Sequence, residues 1–384
     1  MKTDAARRVV ADDDKLLGIE LLRFASALAV LIFHYQHLAF VGTTQVNFDI
    51  TKQPFYSLLN FFYNYGFRGV QVFWCISGFI FFWKYGERIS QAKLGGYSFF
   101  ILRLSRLYPL HVATLLFMAA MQLVYFRQHN TYFVYASNDL QHFVLQLFMA
   151  SNWGPMSSSW GPMVESFNGP IWSISIEVLV YGVFFLSLRY VSGSPLAIGL
   201  MAAISAAVVF LKISTHTAFS CAMFFYLGCM TAILYAKVRS APTQRTLVTI
   251  AALLAIVGLA TLKFFIDVKP MYFLVVFSPA LIFLCTAHIK PSKFGAHLLT
   301  AAGSVTYSSY LLHVPLQISI VTYYGWAHRT LPFYSPSFFL VYLSVTLLLS
   351  YGCYKYFEVP AQNMLRKTLS SPRSETRAVA QLRP

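Results

Sequence analysis

Apolar runs long enough to cross a lipid bilayer recur along almost the whole of this chain. A spanning helix needs about 20 mostly apolar residues. Candidate runs lie at 17–40, 69–85, 107–126, 171–191, 194–212, 217–236, 246–266, 270–288, 297–321 and 336–358. They are continuous rather than alternating, which excludes a membrane β-barrel. Composition agrees: 57% of the 384 residues are apolar and 11% are charged, against about 25% charged in a soluble domain. A water-soluble fold of this size has a largely polar exterior and could not hide so much apolar surface. The chain is therefore expected to be all-α, a polytopic membrane bundle of about ten transmembrane helices. Its expected parts are an N-terminal segment at 1–16, one transmembrane domain at 17–360 and a polar C-terminal tail at 361–384, read as disordered. The first run carries Arg23 and His34 and lacks a small-residue cleavage site, so it is expected to stay as a span.

Basic residues orient the bundle. An eleventh apolar segment, 139–151, is short, and the loop after it has no Lys or Arg. If it dips into the membrane without crossing, ten spans leave both termini in the cytoplasm. The inner side then holds 21 of the 29 Lys and Arg residues, the outer side seven, and Arg23 lies within the membrane. The reverse orientation inverts the ratio, so the positive-inside rule selects the first arrangement. The formal charge of +16 is thus spent on topology, and a nucleic-acid partner is not expected; the lipid bilayer is. The five cysteines (Cys75, Cys221, Cys229, Cys285 and Cys353) all fall inside apolar runs with neither metal-ligand nor disulfide spacing. No metal is expected.

Arg23 and His34 stand out among the ionisable residues of the first run, which also holds Glu20 and His37. Eleven residues apart, they return to nearly the same helix face, roughly 16 Å apart along the axis. Glu20 precedes Arg23 by three residues and can pair with it. An arginine this deep either faces the bundle interior with a partner or snorkels to the inner headgroups. His34 is either a packing histidine or a proton-transfer group. His37 lies three residues further on, nearly on the same face, and is expected to be the wetter of the two, at an entrance.

At these residues the sequence resembles the membrane acyltransferase-3 family, whose first-helix signature is an arginine, ten residues and a histidine. Further matches follow in order. They are Gly69-Val-Gln-Val-Phe-Trp-Cys-Ile-Ser-Gly-Phe79, Arg103-Leu-Ser-Arg106-Leu-Tyr-Pro109, and Asn168-Gly-Pro-Ile-Trp172-Ser-Ile-Ser175-Ile-Glu177. Tyr307-Ser-Ser-Tyr-Leu-Leu-His313-Val-Pro315 and Phe357-Glu358-Val-Pro360 complete the set. No single pattern is specific; six in order are. Two departures stand out. Val178 occupies the position where many members carry a second glutamate, which weakens a paired-carboxylate mechanism there. The soluble esterase-like domain fused to some members has no counterpart.

The resemblance implies transfer of an acyl group, often acetyl, from a cytoplasmic acyl-CoA donor to a hydroxyl of a carbohydrate or glycolipid acceptor. It also implies a multi-pass location in a bacterial inner membrane, with Arg23 and His34 as the principal functional residues. His34 could act as a general base or accept the acyl group itself. Arg103 and Arg106, at i and i+3, could clamp CoA phosphates or simply anchor the inner face. Glu177 could pair with Arg23 or His34, or form a structural ion pair elsewhere. Trp172 and Trp160 could stack on sugar or belong to an interfacial aromatic belt. Ser175 belongs to the same motif, and His313 is ranked as structural support before site residue. A transporter or flippase is the main rival, because intramembrane charges also mark transport pathways. A structural protein leaves the ordered motifs unexplained.

Overall fold

A computed structural model describes residues 16–154, 165–266, 268–287 and 291–369. The expected N-terminal segment, Trp160 and the tail beyond Leu369 lie outside these residues. Among the described residues, seven helices are long and apolar enough to cross a membrane: Leu17–Ala39, Tyr56–Ser90, Gly96–His129, Ile171–Val191, Thr217–Val238, Pro242–Lys263 and Pro336–Leu369. The helices Pro195–Phe210 and Pro270–Cys285 are apolar but shorter. Among the described residues the only sheet is a hairpin pairing Phe40–Val41 (β1) with Thr44–Gln45 (β2).

The regular helices are α1 (Leu17–His34), α2 (Tyr56–Tyr65), α3 (Gly69–Phe81), α4 (Glu87–Ser90), α5 (Gly96–His129), α6 (Leu140–Leu147) and α7 (Ile171–Leu186). They continue with α8 (Pro195–Phe210), α9 (Thr217–Val238), α10 (Pro242–Phe265), α11 (Pro270–Cys285), α12 (Lys293–Ser304), α13 (Thr306–Trp326), α14 (Pro336–Cys353) and α15 (Val359–Leu369). Three expected boundaries change. The second run starts at Tyr56, because a 3-10 turn at Gly66–Arg68 joins α2 to α3 without a break. The third starts at Gly96, so Arg103 and Arg106 lie within α5 rather than ahead of it. The expected span 297–321 is two helices, α12 and α13, broken at Val305. The expected tail at 361–384 begins as helix, since α15 runs to Leu369 and Arg366 donates to Ser105 Oγ on α5 at 3.2 Å. Segment 139–151 forms only α6, eight residues and about 12 Å long, too short to cross.

Helix α1 runs through the middle of the bundle against α2, α3, α11, α12 and α13. The tightest approach is between α3 and α9. A Cβ on Gly78 would stand 1.8 Å from the Phe225 carbonyl oxygen, and one on Gly228 would stand 1.9 Å from that of Cys75. Two backbones meet here because neither helix carries a side chain at the crossing. Helix α13 is the polar interior element, burying Thr306, Ser308, Ser309, His313, Gln317 and Thr322. That polarity explains why it falls below the apolarity of the seven long spans. Pro315 removes the amide that would bond the Leu311 carbonyl. Asn168 Nδ2 donates to that carbonyl at 3.0 Å, which joins two of the sequence motifs through one backbone group.

Candidate active site

The site is built on α1, α5, α7 and α13, and it divides into two cavities. The first, of about 200 Å³, is lined by four cations, Arg23, Lys84, Arg103 and Arg106, and two carboxylates, Glu20 and Glu177. Arg23 turns into the bundle rather than snorkelling. Its Nη1 donates to Glu20 Oε2 at 2.8 Å and its Nη2 to Thr306 Oγ1 at 3.0 Å. Thr306 Oγ1 donates in turn to the Gly303 carbonyl at 2.8 Å. Gly303 is what gives Glu20 its room, since a Cβ there would lie 1.8 Å from Glu20 Oε2. The planar guanidinium thus ties α1 to α13 through its bond to Thr306, while its other bond holds Glu20 on α1 itself. Arg103 donates to the Tyr85 hydroxyl and lies over the rings of Phe81 and Tyr85, 4.7 and 4.9 Å from their centroids. Ring faces and a phenol fix its fork, with no carboxylate in salt-bridge range among the described residues.

The second cavity, of about 280 Å³, is lined by His34, His37, Tyr135, Glu165, Pro170 and Trp172, among others. His34 ends α1, where the helix tightens into a 3-10 turn, Tyr35–Ala39. Its carbonyl is also bonded from across the bundle, by α13. Gln317 Nε2 on α13 donates to it at 2.8 Å and to Tyr342 Oη at 3.0 Å. The His34 ring meets His313 at 2.9 Å between nitrogens. Its ring face stacks on His37, with centroids 4.7 Å apart. Glu165 lines this cavity from a loop outside the spans, and desolvation pushes its carboxyl above the usual carboxylate range.

A thin wall separates the cavities. Trp172, in the second, sets its ring edge-on to Trp74, in the first, with centroids 5.8 Å apart. Ser173 Oγ is 2.7 Å from Tyr310 Oη, which donates to the Pro170 carbonyl at 3.1 Å.

Most of the residues singled out in the sequence converge here, with corrections. His37 is buried rather than wet, 7% exposed, and its Nδ1 is sealed without a partner. The 3-10 turn, which the helical extrapolation missed, swings it inward. Glu177 forms no ion pair with Arg23 or His34 among the described residues, and its Oε1 has no hydrogen-bond partner. Ser175 lines neither cavity. Its Oγ accepts from the Asn152 amide at 3.2 Å and its carbonyl from Trp153 Nε1 at 2.8 Å, so it anchors the segment after α6. His313, ranked as support, is in direct contact with His34. Lys84, Thr306, Tyr310, Tyr135 and Glu165 were not singled out. Thr306 stands one residue before, and Tyr310 inside, a quoted motif, and Lys84 was counted only as an orienting charge. Glu165 and Tyr135 lie in loops, where spacing carries no signal.

Fold and site together define an α-helical membrane protein with a basic cavity and a histidine cavity at two levels along one helix. A family model described as an acyltransferase domain matches residues 16–355, nearly the whole chain, and the chain belongs to this acyltransferase-3 family. No curated protein and no solved structure matches it.

Proposed function

We propose that this protein is an O-acyltransferase that moves an acyl group, acetyl in the first instance, from cytoplasmic acyl-CoA to a hydroxyl of a carbohydrate or glycolipid acceptor. The acceptor is on the outer side of a bacterial inner membrane, and the fold crosses that membrane ten times with both termini inside. The ten crossings are the seven long helices, α8, α11 and the broken pair α12–α13. The observation that carries this reading is that one central helix opens into two cavities, Arg23 at the basic one and His34 at the other. Arg103, Arg106 and Lys84 supply cations for the phosphates of the donor, and Arg23 supplies a fork for its thioester end. Trp172 offers a stacking face for a sugar ring, and His37 and Glu165 offer polar edges for its hydroxyls.

In the chemical step, neutral His34 takes the proton of the acceptor hydroxyl while its oxygen attacks the thioester carbonyl. A C–O bond forms, the C–S bond breaks, and CoA leaves as the thiol once the proton is returned. In the alternative order the imidazole attacks the thioester first and expels CoA as the thiolate. The hydroxyl oxygen then takes the acyl group from the acyl-imidazole, the C–N bond breaks, and the hydroxyl proton is given up so that CoA leaves as the thiol. Either order requires the wall of Trp172, Ser173 and Tyr310 to open a path between the cavities. Radiolabelled acetyl-CoA offered to the purified protein with candidate glycans tests the reading. Labelled acceptor from the wild type, and none from Arg23→Ala or His34→Ala, supports it. A flippase would instead carry acceptor across unmodified, with no label joined to it.

A further inference from the structure

His34 has two ring nitrogens, and the structure distinguishes them. Its Nδ1 lies 2.9 Å from Nε2 of His313, with the ring planes within 6° of parallel and the centroids 5.0 Å apart. Face-stacked rings would keep every atom pair about 3.5 Å apart or more. The rings therefore meet edge to edge, in hydrogen-bond geometry. One proton lies between the two nitrogens, and the far side of His313 decides which ring owns it. His313 Nδ1 is 3.2 Å from the Ser309 carbonyl oxygen, one turn back on α13, and a carbonyl can only accept. The proton of neutral His313 is then on Nδ1, and its Nε2 carries a lone pair. His34 must donate from Nδ1, which leaves its own Nε2 as the basic atom. Both rings are neutral in this arrangement. His313 is fully buried, neither ring pairs with a carboxylate among the described residues, and an unpaired buried cation is strongly disfavoured. Among the described residues His34 Nε2 has no partner, yet unlike His37 Nδ1 it is not sealed, and the ring lines the second cavity.

We infer that His313 is a positioning residue that locks His34 in the Nδ1–H tautomer, so that Nε2 is the atom presented to the acceptor. This rests on the proposed transfer reaction and deepens it, because it names the reacting nitrogen for either order of steps. When Nε2 gains a proton or an acyl group, Nδ1–H continues to donate to His313, so the developing charge meets a lone pair already in line. Gln317, one turn beyond His313 on the same face, holds the His34 main chain, so ring and backbone are clamped from one helix. His37 meets the His34 ring by stacking and makes no hydrogen bond to either of its nitrogens among the described residues, so it does not set the tautomer.

Nitrogen-15 spectra of histidine-labelled protein in lipid, with His34 assigned by difference, read the tautomer without reference to activity. At neutral pH the wild type is expected to carry the His34 proton on Nδ1. His313→Gln, whose amide oxygen reaches the same point, keeps that tautomer and most of kcat. His313→Asn, too short to reach, releases it to a mixture and lowers kcat on the order of 10²-fold, with the acceptor KM unchanged. A His34 proton on Nε2 in the wild type, or a His313→Asn protein with unaltered tautomer and kcat, overturns the assignment. If no acyl-CoA serves as donor, the functional reading fails while the spectra still decide the tautomer.

Discussion

An arginine inside a bilayer is tolerated when its protons have partners, and Arg23 has two of them, on two different elements. A lysine carries the charge but not the fork. Arg23→Lys is therefore expected to lose transfer on the order of 10²-fold, nearly as much as Arg23→Ala. Activity within a few fold of wild type in the lysine protein would reduce Arg23 to a simple charge. The two cavity imidazoles divide differently. His34 has a bonded nitrogen and an open one, whereas His37 is sealed at Nδ1 and stacked. Rates measured against acceptor concentration should show His34→Ala losing kcat by about 10²–10⁴-fold. His37→Ala should mainly raise the acceptor KM, by about tenfold. The opposite pattern would reverse the assignment. Arg23 and His34 were legible in the sequence because ionisable groups inside apolar runs are rare and conspicuous. The contact between His34 and His313 was not, since residues 279 positions apart are brought together only by the packing of α1 on α13.

At the scale of elements, the apolar runs gave the helices but not their breaks and extensions. Polar residues on an interior face look like loop in sequence, which hid the stretch of α5 from Gly96 to Arg106 and the polar side of α13. The crossing of α3 and α9 was equally hidden, because a glycine in an apolar run gives no sign of what approaches it. Gly228→Ala drives a methyl into the Cys75 carbonyl, 1.9 Å away, with no flexible side chain to yield. It is expected to destabilise by about 1–3 kcal/mol or more, read as a lower melting temperature in detergent. Gly258→Ala on α10 meets nothing within 4 Å and is expected to be neutral or stabilising. Equal melting temperatures for the two variants would contradict the backbone contact.

For the molecule as a whole, the helical membrane class and the family followed from pattern, because hydropathy and ordered motifs act over hundreds of residues. The two-cavity arrangement did not, since it depends on which helix faces which. The proposed orientation puts the turn before α5 inside and the end of α5 outside. Both Gly95 and Asn130 are exposed, so an impermeant thiol reagent added outside should label Asn130→Cys and spare Gly95→Cys. The reverse would invert the topology. The central claim is that the acyl group passes from one side to the other through Arg23 and His34. Right-side-out vesicles loaded with radiolabelled acetyl-CoA, with acceptor supplied only outside, test it most directly. Labelled acceptor is predicted to accumulate outside, and to be absent with His34→Ala protein. Label that joined the acceptor only when both substrates shared one compartment would contradict the account.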